Sequence, residues 1–212
     1  MNYRTLGRTG LSVSEIGLGT LPIGGAFTLG GMEFGRGSVA DRNSEKMVGV
    51  ALDAGINFID TADIYGYGKS EELIGKVLAG RREKAVIATK AGNRGDEKSW
   101  IKDFSAKWLL SACENSLKRL KTDYIDLYLL HSPDTDFLFT EEAFAPLNEL
   151  KKAGKIRFYG VSAGSPEQGL QYIQSGFGDV VEAQFSLCER AAVNDLFPAA
   201  QHADMGVIVK AP

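Results

Sequence analysis

The chain has 212 residues, 44% hydrophobic and 24% charged, with 24 basic against 27 acidic side chains and a net charge of −3. Such a length and balance predict one folded domain, residues 1–212, and exclude both a disordered chain and a surface built to neutralise nucleic-acid phosphates. Two cysteines, Cys113 and Cys188, and two histidines, His131 and His202, are too few and too scattered for a disulfide framework or a structural metal site. No apolar run is long enough to span a membrane, and the N-terminal residues lack the apolar centre of a secretory signal, so the cytoplasm is the expected compartment.

Taken in chain order, Tyr3–Leu6 and Leu11–Ile16 flank a turn over Gly7–Gly10 and predict a hairpin. Short apolar runs then alternate with stretches of helical period. The runs are Ile16–Leu18, Asn57–Ile59, Ala85–Ala88, Tyr124–Leu130, Ile156–Val161, Val180–Ala183 and Gly206–Val209. Most are continuous rather than alternating, as strands buried on both faces of a parallel sheet are. The glycines of Gly24–Gly37 predict a long flexible loop between the first two runs.

Six helical stretches separate the later strands. Ser44–Ala54 stops at Gly55, and Glu71–Ala79 follows Ser70 with two acidic residues in its first turn. Ala106–Leu120 follows Ser105 and carries a stripe of Leu109, Cys113, Leu117 and Leu120. Glu141–Ala153 follows Thr140. Ser165-Pro166-Glu167-Gln168 reads as a capping box opening a helix to about Gln174. Asp195–Ala203 gives the last, shorter helix. A hairpin followed by strict β-α alternation implies a parallel sheet covered by helices. Both an open doubly wound sheet and a (β/α)8 barrel fit the order, although a barrel of about 250 residues would need an eighth strand.

Almost every strand runs from apolar residues into a polar one at its C-terminal end: Asp60, Lys90, His131, Ser162, Gln184 and Lys210. In a parallel sheet those ends share one rim, where such folds build their sites. Asp60 and Lys90 can pair as carboxylate and ammonium. Tyr65, in the DTADIYGYG loop, can reach back over the rim, and a nearby ammonium would lower its pKa from about 10 and make it a usable proton donor. Tyr67 is an equally plain candidate by position alone. Other signatures fail: Pro22 stands where a dinucleotide fingerprint starting at Gly17 needs its third glycine, Asp63 stands where a phosphate loop ending in Gly68-Lys69-Ser70 needs its first, and Cys113 sits in an apolar helix face and reads as core.

With these residues in place the chain resembles the aldo-keto reductase family. The likeness rests on YRTLGRTGLSVSEIGLGT (Tyr3–Thr20), INFIDTADIYGYGKSEELIG (Ile56–Gly75), IATK (Ile87–Lys90), SLKRLKTDYIDLYLLHSPD (Ser116–Asp134) and GKIRFYGVS (Gly154–Ser162), in that order. It implies an α/β fold of the (β/α)8 TIM-barrel type with an N-terminal hairpin, incomplete after the seventh strand, and reduction of aldehydes or ketones with NADPH, or with NADH as the alternative. The implied catalytic residues are Asp60, Tyr65, Lys90 and His131, with Tyr65 donating the proton. Gly19, Thr20, Asp60, Ser162, Gln184 and Lys210 would hold the cofactor, Ser162 and Gln184 on the carboxamide of its ring. Ala163 stands where the family often has Asn, and Lys210 where an aromatic often covers the ring. The implied partner is a small carbonyl compound, with no nucleic acid or membrane, and open sheet edges invite a homo-oligomer. Two other readings stand beside this one: a cofactor-binding regulatory subunit or inactive relative of the same fold, and a barrel lyase or isomerase using a Lys90 Schiff base. Specificity would sit in Leu21–Asp41 and in the loop Ala91–Phe104 with Trp100.

Overall fold

A computed structural model describes residues 1–35 and 41–211. In chain order the elements are β1 (Tyr3–Thr5), β2 (Ser12–Ser14), β3 (Leu18–Gly19), β4 (Phe27–Leu29), β5 (Met32–Phe34), α1 (Asp41–Asp53), β6 (Phe58–Asp60), α2 (Lys69–Val77), β7 (Val86–Ala91), β8 (Asn93–Asp96), β9 (Ser99–Lys102), α3 (Ala106–Leu120), β10 (Ile125–His131), α4 (Glu141–Lys152), β11 (Ile156–Ser162), α5 (Pro166–Gln174), β12 (Val180–Gln184), α6 (Leu196–His202) and β13 (Gly206–Lys210). One sheet of seven strands in the order β13-β12-β11-β10-β7-β6-β3 is parallel throughout. Its two edge strands flank a common cavity. This is the sheet of a (β/α)8 barrel, curled but unclosed among the described residues. No helix among them is long and apolar enough to cross a membrane.

Strand geometry sorts side chains by parity. Phe58, Ala88, Leu127, Leu129, Val180 and Ile208 point into the barrel and pack together with Leu6, Leu11 and Val13 of the N-terminal hairpin. The hairpin thus closes the end of the barrel where the strands begin, tied there by the Arg8 amide donating to the Asp204 carbonyl at 2.7 Å. Ile59, Ile87, Tyr128, Leu130, Val161 and Val181 take the opposite parity and pack beneath the helices in a second, larger core.

Capping chemistry explains where several helices start. Ser105 accepts from the Trp108 amide at 3.3 Å to open α3, and the expected stripe of Leu109, Cys113, Leu117 and Leu120 is buried. Thr140 opens α4 in the same way through the Ala143 amide. Two expectations change. The helix expected after Ser70 starts earlier, at Lys69, with Gly68 as its cap, because the Ser70 hydroxyl is buried and taken up by Thr20 and Thr61. Ser165 accepts from the Gln168 amide at 3.2 Å, but the Gln168 side chain accepts from Gly164 rather than closing a capping box, and donates to the carbonyls of Pro133 and Asp134.

The glycine-rich stretch is not a flexible loop over its described part. β4 and β5 form an antiparallel hairpin, and β8 and β9 form another within Ala91–Phe104. The two meet through the Gly30 and Gly31 amides, which donate to the carbonyls of Asp96 and Glu97 at 3.0 and 2.8 Å. The part of the stretch between residues 36 and 40 lies outside the described residues.

Close approach of α2 to the end of α3 depends on Gly75. A Cβ there would stand 2.4 Å from the Arg119 carbonyl oxygen. Alanine is the better helix former by up to about 1 kcal/mol, but it overpacks this contact. Gly75→Ala is therefore expected to destabilise the fold by about 1–3 kcal/mol, read from urea unfolding.

Candidate active site

Two residues beyond each inward-facing floor position comes the next inward-facing one. Phe58 leads to Asp60, Ala88 to Lys90, Leu129 to His131, Gly160 to Ser162, Val180 to Glu182 and Ile208 to Lys210. A polar layer thus lies on an apolar floor, and a cavity of about 1080 Å³ between the two edge strands runs past both, lined by Leu6, Val13, Phe58 and Ile208 at the floor and by Gly19, Thr20, Asp60, Tyr65, Glu182, Gln184 and Lys210 at the layer and rim.

Lys90 is the centre of this layer. Its side chain is 1% exposed, and its ammonium donates to both carboxylate oxygens of Asp60 at 2.7 Å and to the Thr61 carbonyl at 3.0 Å. A second carboxylate, Glu182, stands 3.5 Å away. Burial penalises the ammonium, but Asp60 and Glu182 outweigh it and hold the Lys90 pKa above its ordinary range. Burial and the facing Glu182 push Asp60 up to about 7 against the pull of Lys90.

The loop after β6 delivers Tyr65. Gly66 and Tyr67 both take left-handed backbone angles (φ 58° and 55°), and this double reversal separates the two tyrosines. The Tyr65 ring turns inward, 5.4 Å from the Lys90 ammonium and 5.8 Å edge-on from the His131 ring. Tyr67 is 48% exposed and donates its hydroxyl to the Thr28 carbonyl. The backbone thus turns Tyr65 toward Lys90 and His131 and Tyr67 outward. The tight seat also needs Gly66, since a Cβ there would lie 2.3 Å from the Gly24 carbonyl oxygen. The expected lowering of the Tyr65 pKa is reversed: burial raises it, and Lys90 only offsets part of that rise.

His131 ends β10 with its Nδ1 buried and unpartnered. Burial first, then the Lys90 charge, lowers its pKa to about 3, so the ring is neutral at neutral pH. Asn93 fixes the strand end by donating to the His131 carbonyl at 2.9 Å and accepting from the Trp100 indole at 2.8 Å.

The remaining predicted residues divide. Ser162 belongs to the layer: its hydroxyl donates to Glu182 at 2.7 Å and accepts from Lys210 at 2.8 Å. Thr20 lines the cavity but is fully buried, its hydroxyl donating to the Asp60 carbonyl at 2.8 Å, whereas Gly19 is exposed. Gln184 is exposed at the mouth, one inward position beyond Glu182. In the ladder Ser162 is opposite Glu182, and Gln184 is opposite Lys210. Glu182 is the residue that reading strand ends passed over. The signal was present, a carboxylate in the middle of the apolar run VVEAQ.

Residues 26–212 match the model of the aldo/keto reductase family. Among curated proteins the chain is 36% identical over 203 residues to the aldo-keto reductase YhdN of Bacillus subtilis, covering 95% of this chain and 59% of that one. It is 34% identical over 221 residues to the NADH-specific methylglyoxal reductase of Escherichia coli, covering 97% and 64%. Among solved structures, the holo form of aldo-keto reductase AKR11C1 from Bacillus halodurans superposes with a TM-score of 0.86 at 34% identity, covering 99% of this chain and 65% of that one. The chain belongs to the aldo/keto reductase family, and it spans less than two thirds of the length of these relatives.

Neutral His131 leaves a mark on stability. Between pH 6.5 and about 3 the unfolded chain binds a proton at this position and the folded chain does not. Its contribution therefore favours the folded state above pH 6.5 and is lost as pH falls through that window. Wild type should lose more stability than His131→Asn on going from neutral to acidic pH, as measured by urea midpoints across a pH series. Parallel curves for the two proteins would contradict the neutral, buried ring.

Proposed function

We propose that the chain forms the proton-transfer side of a carbonyl reductase that uses a nicotinamide cofactor, NADPH or NADH. The observation that supports this best is the packing of the Tyr65 ring against the ammonium of the buried Lys90–Asp60 pair and against a neutral His131 ring.

The residues present fit such a cofactor. The cavity is roomy enough for the nicotinamide end, and a buried carboxylate oxygen, Glu182 Oε2, lacks a hydrogen-bond donor that a carboxamide could supply. Gly19, Thr20, Asp60, Gln184 and Lys210 line the same space, and the buried Ser162 holds the Lys210 ammonium from behind. When bound, a reduced nicotinamide supplies the hydride, which no side chain can.

The chain's own residues do the rest. The Tyr65 hydroxyl gives its proton to the carbonyl oxygen as negative charge develops there, leaving an alcohol. The Lys90 ammonium stabilises the phenolate left behind, and Asp60 holds that ammonium in place. The neutral His131 ring has one N–H to offer the same oxygen and orients the substrate. Because burial raises the Tyr65 pKa, the donor carries its proton throughout the neutral range.

Behind Tyr65 the two hairpins pack aromatic side chains together. Phe34 stacks on Phe27 and meets Trp100 edge-on, and Phe27 meets Tyr67. The Schiff-base reading is disfavoured because Lys90 is a fully hydrogen-bonded ammonium rather than a free amine.

Tyr65→Phe should lower carbonyl reduction by about 10²–10⁴-fold while leaving cofactor affinity nearly unchanged, since it removes a proton donor and no cofactor contact. Consumption of NADPH and of NADH with a reactive aldehyde gives the first quantity, and fluorescence titration gives the second. Full turnover in the variant would remove Tyr65 from the mechanism.

A further inference from the structure

Six polar side chains form the layer above the apolar floor, and the proton-transfer scheme uses Asp60, Lys90 and His131 of them along with Tyr65. Glu182 is left over. It is 1% exposed in the middle of a strand, a position where an isolated carboxylate is costly. Its Oε1 accepts from Ser162 at 2.7 Å and lies 3.8 Å from the Lys210 ammonium, while its Oε2 has no hydrogen-bond partner and lies 3.5 Å from Lys90. The Lys90 ammonium already spends its three hydrogens on Asp60 and Thr61. Glu182 therefore acts on Lys90 through charge and not through a hydrogen bond.

We propose that Glu182 is a second counter-ion of Lys90 and a positioning residue for the reaction, balancing the charge of the centre so that Tyr65 keeps its proton until a carbonyl oxygen takes it. The inference rests on Tyr65 as proton donor.

The charges facing Tyr65 can be named strand by strand. Asp60 comes from β6, Lys90 from β7, neutral His131 from β10, Glu182 from β12 and Lys210 from β13, with the neutral hydroxyl of Ser162 from β11 bridging the last two. Burial lowers the Lys210 pKa and raises that of Tyr65, so in the alkaline range where Tyr65 titrates the charges that count are Lys90, Asp60 and Glu182. Without Glu182 the surroundings of Tyr65 would carry one negative charge fewer, and a phenolate would form more readily. Tyr65 would then lose its proton at lower pH, and reduction would fall off earlier on the alkaline side. Asp60 responds in the same direction. Freed from the facing carboxylate, its pKa should drop from about 7 toward the ordinary range.

The test is a titration of the cofactor-free protein carrying ¹³Cζ-tyrosine and ¹³Cγ-aspartate, with the Tyr65 signal assigned by its loss in Tyr65→Phe. Glu182→Gln keeps the shape and the acceptor for Ser162 and removes only the charge. It should lower the Tyr65 midpoint by about one pH unit and lower the Asp60 midpoint with it. A packing role for Glu182 would not lower the two midpoints together. An unchanged or raised Tyr65 midpoint in Glu182→Gln overturns the proposal. Should that variant not fold, wild type carrying ¹³Cδ-glutamate still decides, because a Glu182 carboxyl ¹³C signal in the protonated range at neutral pH overturns it as well. The two readings fail separately. Normal turnover by Tyr65→Phe removes the proton donor while the charge coupling stays measurable, and an unshifted phenol beside an inactive Tyr65→Phe removes only the role of Glu182.

Discussion

A lysine ammonium sealed inside an apolar barrel is the constraint on which the rest of the site depends. At 1% exposure Lys90 has lost its water, and it remains charged only because Asp60 meets it with both oxygens and Thr61 adds a carbonyl. Asp60 in turn is held by its backbone: its carbonyl accepts from both the amide and the hydroxyl of Thr20. Thr20 shares a buried hydroxyl cluster with Ser70 and Thr61. The start of α2, the end of β6 and the segment after β3 are thus fastened to the same ion pair. The hairpin floor supplies the dryness that makes the pair strong, so the fold's most apolar part and its most polar part are one arrangement.

Dryness has a second effect, opposite to the first. The same burial that strengthens the Lys90–Asp60 pair raises the Tyr65 pKa and lowers that of His131. Charged forms are disfavoured wherever no partner stands close, and neutral forms are what remain. A neutral phenol and a neutral imidazole beside a charged lysine make an asymmetric set. One group can give a proton, one can donate a hydrogen bond without giving its proton away, and one can stabilise the charge left behind. Three residue types on neighbouring elements acquire distinct tasks from how each is buried and paired.

Much of this could be read from the sequence because parallel strands announce their rim. Asp60, Lys90, His131, Ser162 and Lys210 each follow an apolar run, and all of them join the polar layer. The stagger of the strands was not legible in the same way. Reading Gln184 as the layer's member on β12 assumes that strands end level, whereas Ser162 faces Glu182 and the run simply extends one inward position further. Side-chain choices among equals were hidden for a similar reason. Ser70 looks like a helix cap by sequence, and only the neighbouring Thr20 and Thr61 draw it elsewhere. The direction of the Tyr65 shift depends on burial, which a list of charged neighbours omits. Glycine density between residues 24 and 35 likewise suggests mobility, but cross-hairpin amides from Gly30 and Gly31 turn it into ordered structure.

Period-two alternation imposes a further requirement on the site. Any side chain two residues above the apolar floor must face the others across a narrow interior, so a charge placed there by one strand is felt by several. Glu182 and Lys210 cannot be neutral bystanders in such a ring, since each lies within 4 Å of another charged group. A strand interior that tolerates a carboxylate does so because cations on two other strands already occupy the same level. Burying charge at one position of this barrel is therefore a decision about the whole layer, and the proton affinity of Tyr65 reports its sum.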